Sequence, residues 1–323
     1  MGLTKWGVLS TALINEKVLV GAALSDEVDV VAVASRDQAR ADAYAREHGI
    51  PRAHGSYEAL LADPEVEAVY ISLPNSLHCE WSINALEAGK HVLCEKPMGR
   101  RPEEVKAVFD AAESNDRFCM EAFMWRHNPQ TRKLKELVGD GAIGEVRLVR
   151  AAFSFLLTDV ANVRMRPELE GGGLMDVGCY CVSGLRLLAG DPVRVTGQQV
   201  AGPTGVDVRF AATFSFPGEV LGHFHCALDL PDRSELEVIG SEGAIGVSDP
   251  WHCLRPGLRL HRGEEVEQIE IVPENSYRLE LENLGRAIRG ETDPLLGRRD
   301  AVAQARVIDA LYRSAETGAA VEV

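Results

Sequence analysis

The apolar and polar positions up to about residue 125 form two alternating patterns. Short, nearly continuous apolar runs, such as VDVVAVA at Val28–Ala34, predict strands that are buried on both faces. Charged or alanine-rich stretches follow them and predict helices, which end at glycines such as Gly49 and Gly89. The predicted strands are Gly7–Leu9, Val28–Ala34, Ala68–Leu73, His91–Cys94 and Phe118–Phe123, and the predicted helices are Asn15–Leu24, Arg36–His48, Asn75–Ala88 and Pro102–Ser114. Repeated strand–helix–strand units predict a doubly wound parallel sheet of the Rossmann type.

The rest of the chain has a different pattern, in which strands follow one another with few helices between them. Residues 207–216 (DVRFAATFSF) alternate in polarity over their second half, which predicts a sheet with one covered face. The predicted strands are Arg147–Phe155, Asp207–Phe216, Val220–Leu228 and Glu235–Ile239, and the closing helices are Ser276–Arg289 and Arg299–Glu316. We therefore predict an α/β protein: a Rossmann domain over residues 1–125, and an α+β domain with a large, mostly antiparallel sheet over 126–323.

Composition and charge limit the function classes. The net charge of −15 argues against nucleic acid and anionic membranes as partners, because both reward Lys and Arg. No apolar run approaches the length of a membrane span, and no signal peptide is evident, so a cytoplasmic location is expected. The seven cysteines are an odd number with one close pair, Cys179 and Cys181, so buried, reduced thiols are expected rather than disulfides or a metal site. His223 and His225 share a strand face but lack a third ligand, so no metal is expected there.

The first strand ends in a turn where a dinucleotide-binding protein places the pattern Gly-x-Gly-x-x-Gly. Ser10, Ala12 and Asn15 occupy the three glycine positions. Small residues can serve there if the bend avoids positive φ, and the hydroxyls of Ser10 and Thr11 can then add hydrogen bonds to phosphate. Taken alone, the segment also fits an ordinary strand–turn–helix unit.

The end of the second strand bears on the choice of cofactor. NAD enzymes usually place Asp or Glu there for the ribose 2′-hydroxyl, whereas this chain has Ser35 and Arg36. A hydroxyl and a guanidinium attract a 2′-phosphate, so NADP is expected, with NAD as the alternative. Asp37 follows and could cap the next helix or weaken this preference, and Arg36 could simply be a solvated helix-start residue.

Three further segments add to the serine-threonine-alanine turn: LPNSLH at 73–78, CEKP at 94–97 and GGGLMDVGCY at 171–180. In combination they resemble the glucose–fructose oxidoreductase / inositol dehydrogenase / MocA family over essentially the whole chain. Tyr180 and the segment MEAFMWR at 120–126 are similar to the branch with dihydrodiol dehydrogenase and NADP-dependent xylose dehydrogenase. The missing first-turn glycines depart from many relatives and bear on cofactor affinity.

The resemblance implies hydride transfer between a nicotinamide cofactor and a sugar, polyol or related alcohol. It implies that the pyrophosphate of the cofactor contacts the turn after the first strand and that the 2′-phosphate contacts the end of the second strand. The nicotinamide half would contact the ends of the third and fourth strands. The cofactor-binding residues implied are Ser10, Thr11, Ala12, Ser35, Arg36, Leu73, Pro74, Asn75, His78, Glu95 and Lys96. Lys96 also faces the substrate by this resemblance, and Asp176 and Tyr180 meet the substrate from the second domain.

These residue types suit alcohol oxidation, which requires a base for the hydroxyl proton. Free tyrosine has a pKa near 10, and a neighbouring ammonium lowers it by favouring the phenolate. The hypothesis has Tyr180 as acid/base, Lys96 as the group that tunes it, and Asp176 as an orienting group on the same helical face. Singly, Asp176 also fits a helix cap, Tyr180 a core tyrosine, Lys96 a surface lysine and His78 a helix-start histidine.

Arg164 and Arg166 precede the glycines and could reach cofactor phosphate or substrate, or belong to a solvated loop. The function expected first is an aldopyranose 1-dehydrogenase that oxidises xylose or glucose to the lactone. A trans-dihydrodiol dehydrogenase or keto-sugar reductase is the alternative enzyme, and a non-catalytic nucleotide sensor is the alternative of another class. The expected partners are a small-molecule sugar or related alcohol and further copies of the chain, in a homodimer or homotetramer formed through the C-terminal sheet.

Overall fold

The computed structural model describes residues 2–323, which divide into two compact units. The first unit comprises the chain up to Gly99, with Glu103–Met124 and Asn275–Val302. The second comprises Arg100–Pro102, Trp125–Glu274 and Ala303–Val323. Residues 275–302, which sequence analysis assigned to the second domain, therefore belong to the first compact unit.

The first unit contains a six-stranded sheet of order β3-β2-β1-β4-β5-β6, and all of its neighbouring strands are parallel. Its strands are β1 (Thr4–Leu9), β2 (Val28–Ala34), β3 (Arg52–His54), β4 (Ala68–Ile71), β5 (His91–Glu95) and β6 (Cys119–Ala122). Its helices include α1 (Asn15–Ala23), α2 (Gln38–His48), α3 (Tyr57–Leu61), α4 (His78–Glu87) and α5 (Pro102–Ser114). The predicted doubly wound parallel sheet is confirmed, and β3 and α3 are additions too short for the apolar pattern to reveal.

Because all strands of this sheet are parallel, their carboxyl ends lie at the same edge of the sheet. The order reverses between β1 and β4, which is where doubly wound folds form their ligand crevice. The residues that follow β1, β2 and β4, namely Ser10, Ser35 and Ser72, lie at this edge with Glu95, the last residue of β5. Helix α8 (Ser276–Ile288) belongs to the same unit and packs against α1.

The second unit contains a nine-stranded sheet of order β14-β13-β12-β11-β7-β10-β9-β8-β15. Its strands are β7 (Val146–Leu156), β8 (Arg194–Ala201), β9 (Asp207–Ser215), β10 (Leu221–Ala227), β11 (Asp229–Gly240), β12 (Ala244–Ser248), β13 (Gly257–Arg262), β14 (Glu265–Glu270) and β15 (Val321–Glu322). Its helices include α6 (Pro129–Gly139) and α7 (Cys179–Ala189), and α9 (Arg298–Thr317) closes the helical part of the chain. Strands β7 and β10 pair in parallel and the remaining pairs are antiparallel, so the predicted mostly antiparallel sheet is confirmed.

Strands β9 and β10 show the predicted one-sided burial. Phe210, Phe214 and Phe224 are buried on one face, whereas His223 and His225 are exposed on the other. All seven cysteines are free thiols. Within residues 2–323, no helix is long and apolar enough to cross a membrane, and no group of three or more His, Cys, Asp or Glu side chains could hold a metal ion.

Candidate active site

The turn after β1 differs from the expectation that its bend avoids positive φ. Ser10 has a φ of +121°, a backbone region that residues other than glycine rarely adopt. Its side chain is buried, and its hydroxyl contacts the Ser72 hydroxyl at 2.8 Å and accepts the Ala12 N–H at 3.1 Å. The hydroxyl expected to reach phosphate is therefore already engaged within the first unit.

Backbone donors remain in the same turn. The N–H groups of Thr11, Leu13 and Ile14 have no hydrogen-bond partner in the part of the chain that the structure describes, and they immediately precede α1. Free amides at a helix start, together with the positive end of the helix dipole, suit a pyrophosphate. The residues present thus fit the diphosphate of a dinucleotide, mainly through backbone groups.

The end of β2 presents a guanidinium and no available carboxylate. Ser35 is buried and Arg36 is exposed, while the Asp37 side chain caps α2 by accepting the Arg40 N–H at 2.8 Å. Burial raises the pKa of the Tyr57 hydroxyl, and the nearby positive charges of Arg36 and Arg40 act in the opposite direction. Two arginines thus lie near Tyr57, and sequence reasoning identified only Arg36 as a candidate ligand for a 2′-phosphate.

The segment after β4 begins as a short 3₁₀ turn, Asn75–Leu77, before α4 starts at His78. Leu73 is buried, and Pro74 and Asn75 are partly exposed. His78 is 1% exposed, and its ring nitrogens lie 2.8 Å from the Pro97 carbonyl oxygen and 2.7 Å from that of Leu73. Burial lowers the pKa of this imidazole, whereas its contacts with the two carbonyl oxygens act in the opposite direction. The ring joins two strand-end segments of the first unit.

Glu95 is the last residue of β5, and Lys96 follows it. Glu95 is buried, and its Oε1 accepts a hydrogen bond from the Tyr70 hydroxyl at 2.5 Å, while its Oε2 lies 3.2 Å from the Lys96 backbone N–H. Burial raises the pKa of Tyr70 well above its usual value, so this phenol stays protonated and donates. The Glu95 carboxylate is therefore held in one orientation, and the Lys96 side chain is partly exposed.

The glycine-rich segment of the second unit forms a π-helical turn, Leu174–Gly178, that leads directly into α7. Gly172 has a φ of +126°, and an added Cβ would overlap the Asp207 carboxylate. Asp207 accepts the Leu174 N–H at 2.7 Å and the Tyr312 hydroxyl at 2.9 Å. Burial raises the pKa of Asp207 to about 6. Asp207, from β9, therefore caps this segment, and sequence reasoning did not identify it.

Asp176 lies inside the π-helical turn and forms an ion pair instead of capping the helix. The Arg164 guanidinium donates to the Asp176 carboxylate at 2.7 Å, and both residues belong to the second unit. Arg166 instead pairs with Glu168 on the surface. Arg164 and Arg166, which the sequence analysis treated together, thus form ion pairs with different carboxylates.

Tyr180 lies one turn further along, on α7, and is only partly buried. Its ring packs edge-on against Phe153 at 5.3 Å between centroids and lies 6.0 Å from Trp251. His252 packs edge-on against Phe153 at 5.4 Å and is itself exposed. Sequence reasoning missed Phe153, Trp251 and His252, because no spacing in the chain relates β7 or the 251–252 segment to α7.

The chain matches two family descriptions. Residues 5–123 match the oxidoreductase family with an NAD-binding Rossmann fold, and residues 131–246 match the GFO/IDH/MocA C-terminal domain. The chain belongs to the GFO/IDH/MocA family. The resemblance expected from the sequence is confirmed, and with it an NAD(P)-dependent oxidoreductase that acts on alcohol groups.

Three known proteins illustrate the range of similarity. The D-xylose 1-dehydrogenase (NADP(+)) 2 of Haloferax volcanii is 41% identical over 323 residues, which cover 98% of this chain and 99% of that protein. The trans-1,2-dihydrobenzene-1,2-diol dehydrogenase of Bos taurus is 36% identical over 267 residues, which cover 81% of this chain and 79% of that protein. The crystal structure of the aldose-aldose oxidoreductase of Caulobacter crescentus matches this structure with a TM-score of 0.93 at 27% identity. The match covers 99% of this chain and 100% of that one.

Proposed function

We propose that this member of the GFO/IDH/MocA family is an NADP-dependent sugar oxidoreductase that oxidises an aldopyranose, xylose or glucose, at C1 to the lactone. The similarity to the Haloferax volcanii xylose dehydrogenase carries the proposal, because it extends over 98% of this chain at 41% identity. In this proposal residues 1–125 bind the cofactor and residues 126–323 bind the substrate.

The residue roles follow from the chemistry of the alcohol. When bound, the nicotinamide accepts the hydride that leaves the substrate carbon. Tyr180 takes the proton of the reacting hydroxyl as that carbon becomes a carbonyl, and returns it in the reductive direction. Lys96 favours the phenolate of Tyr180 by its positive charge and anchors the substrate oxygen, since an adjacent ammonium stabilises an anion.

Asp176 orients the substrate or Lys96 in this proposal, and Arg164 balances the Asp176 charge. Phe153 and Trp251 supply an apolar wall beside the Tyr180 ring, which suits the C–H face of a pyranose. Glu95, held by Tyr70, is proposed to bind the nicotinamide ribose. Ser35 and Arg36 are proposed to bind the 2′-phosphate, and the turn at Thr11 the pyrophosphate.

Formation of NADPH, followed at 340 nm with a panel of aldopyranoses, tests the reaction. We expect turnover with the wild type, and a loss of about 100-fold or more in kcat for Tyr180→Phe with an unchanged Kd for NADP+. Lys96→Ala should also lower kcat, whereas the control Lys133→Ala, which removes a lysine of an exposed ion pair, should leave kcat unchanged. Equal turnover by Tyr180→Phe and wild type would refute the assignment of Tyr180.

Binding titrations with NADP+ and NAD+ test the cofactor. Arg36→Ala is expected to weaken NADP+ binding by about 10- to 100-fold, because a charge-assisted contact to phosphate is lost, and to leave NAD+ binding unchanged. Arg46→Ala, which replaces an exposed arginine on the following helix α2, is the control. An undiminished preference for NADP+ in Arg36→Ala would contradict the proposal.

A trans-dihydrodiol dehydrogenase is the second candidate, because the aromatic side chains of Phe153 and Trp251 beside Tyr180 also suit a cyclic diol. Including such a diol in the substrate panel separates the two activities. A nucleotide sensor would bind NADP+ equally in wild type and Tyr180→Phe, and would turn over none of the substrates.

Two further properties are proposed with the function. A homodimer or homotetramer formed through the nine-stranded sheet is proposed because strands of that sheet expose the apolar side chains of Val200 and Leu221, which a subunit contact would bury. Its test is the mass of the protein in solution. A cytoplasmic location is proposed because the seven cysteines are free in the structure, and the cytoplasm keeps thiols reduced.

A further inference from the structure

Asn15 occupies the position where the dinucleotide pattern has its third glycine. The side chain is 0% exposed at the first residue of α1. Its Nδ2 donates to the Ser10 carbonyl oxygen at 2.9 Å, and its Oδ1 accepts from the Ser72 hydroxyl at 2.6 Å. A buried amide with both ends satisfied fixes the relative positions of the groups it joins.

These contacts close into a ring. The Ser72 hydroxyl donates to Asn15 Oδ1 at 2.6 Å and lies 2.8 Å from the Ser10 hydroxyl, which also donates to the Ser72 carbonyl oxygen at 3.2 Å. The Ser10 Oγ then accepts the Ala12 N–H at 3.1 Å, and the Asn15 amide returns to the Ser10 carbonyl. The ring connects the turn after β1 with the residue that follows β4.

The ring explains how the turn forms without glycine. Ser10 holds a φ of +121°, which a serine adopts only when its surroundings determine it. Both the carbonyl oxygen and the hydroxyl of Ser10 belong to the ring, so its backbone cannot rotate without breaking hydrogen bonds. The ring also engages the Ala12 N–H and leaves those of Thr11, Leu13 and Ile14 unpaired in the described chain.

We propose that Asn15, Ser72 and Ser10 form a positioning clamp that replaces the glycines of the dinucleotide turn. The clamp holds the turn so that the N–H groups of Thr11, Leu13 and Ile14 face the diphosphate of the cofactor. Asn15 and Ser72 act through the backbone of the turn and touch no reacting atom. This inference rests on the proposed function, because it assumes a nicotinamide dinucleotide as the ligand.

Calorimetric titration of purified variants with NADP+ tests the clamp. Asn15→Ala and Ser72→Ala are each expected to raise the Kd by about 5- to 20-fold, as expected for the loss of a buried hydrogen bond. The double variant is expected to resemble either single one, because the ring is broken only once. The loss should be absent with adenosine 2′-monophosphate, which has no diphosphate.

Rescue and a stability control separate positioning from simple destabilisation. Ser10→Gly in the Asn15→Ala background should recover most of the NADP+ affinity, since glycine adopts positive φ without the clamp. Ser56→Ala removes the N-terminal cap of α3 in the same unit, where the Ser56 hydroxyl accepts the Ala59 N–H. It should lower the melting temperature and leave the Kd unchanged.

The outcomes distinguish the clamp from the proposed function. Wild-type NADP+ affinity in both single variants, an equal loss with adenosine 2′-monophosphate, or failure of Ser10→Gly to restore binding overturns the clamp and leaves the function standing. If Asn15→Ala does not fold, the Ser72→Ala titrations decide by the same criteria. Failure of the wild type to bind either NADP+ or NAD+ overturns both.

Discussion

Replacing Glu280 by glutamine should remove a loss of stability that the wild type undergoes as the pH rises. Glu280 lies on α8, is 0% exposed, and neither of its carboxylate oxygens has a hydrogen-bond partner within residues 2–323. Burial raises its pKa well above the ordinary value of 4.5, and the nearby negative charge of Glu95 raises it further. Burial therefore favours the neutral acid in the folded protein, whereas in the unfolded chain Glu280 ionises as the pH rises above 4.5.

The sign of the effect follows from counting protons. Above pH 4.5 the unfolded chain binds fewer protons at this residue than the folded protein does, so stability falls as the pH rises. The fall is about 1.4 kcal/mol for each pH unit over which Glu280 remains protonated in the fold. Glutamine has nearly the same shape and no proton to lose, so Glu280→Gln removes this dependence.

The assay is urea unfolding followed by tryptophan fluorescence at pH 5, 6, 7 and 8. The free energy of unfolding of Glu280→Gln minus that of the wild type should increase as the pH rises above 4.5, by at most about 1.4 kcal/mol per unit. Glu282→Gln is the matched control, because Glu282 lies on the same helix but accepts hydrogen bonds from Ser25 and Arg286. A difference that stays constant from pH 5 to 8 would refute a buried neutral Glu280.

Three other variants test features of the second unit. Burial lowers the pKa of His127 to about 3, so the wild type should lose about 1.4 kcal/mol per pH unit as the pH falls below 6.5, and His127→Gln should lack this loss in acid unfolding curves. Gly172→Ala should cost about 2–3 kcal/mol of stability, measured by thermal unfolding, because its Cβ would overlap Asp207 at positive φ, whereas Gly139→Ala, with nothing within 4 Å, should not. Arg164→Ala should raise KM for the substrate more than the Kd for NADP+, since it leaves Asp176 without its ion pair; equal effects on both would contradict a role in substrate positioning.

Local sequence patterns were sufficient for most of the regular elements. The run VDVVAVA predicted β2 at Val28–Ala34, and the interval Pro102–Ser114 predicted α5, both with the bounds that the structure has. The apolar pattern of a buried strand or an amphipathic helix involves only residues that are close in sequence, so a short segment is enough to predict the element. The same patterns did not reveal β3, β8 or β12–β15, and of these only β3, β14 and β15 lie at the edges of their sheets.

The candidate site could be read in outline from its motifs. The residues Ser35 and Arg36 stood out because a carboxylate was missing, and Asp37 could be named as a possible helix cap before its contact with Arg40 was known. Asn15 was recognised only as the place of a missing glycine. Its role depends on Ser72, which lies 57 residues further along the chain, and no spacing rule connects the two.

The sequence by itself determined the alternation of strands and helices and the family, because these are expressed in local periodicity and short motifs. It also supplied the expectation of NADP. Only the tertiary structure decided that α8 belongs to the first compact unit, that Asp207 caps the glycine-rich turn, and that Phe153 and Trp251 flank Tyr180. These contacts join segments far apart in the chain. Which of many possible partners a buried side chain meets depends on how whole elements pack, and that is a property of the complete fold.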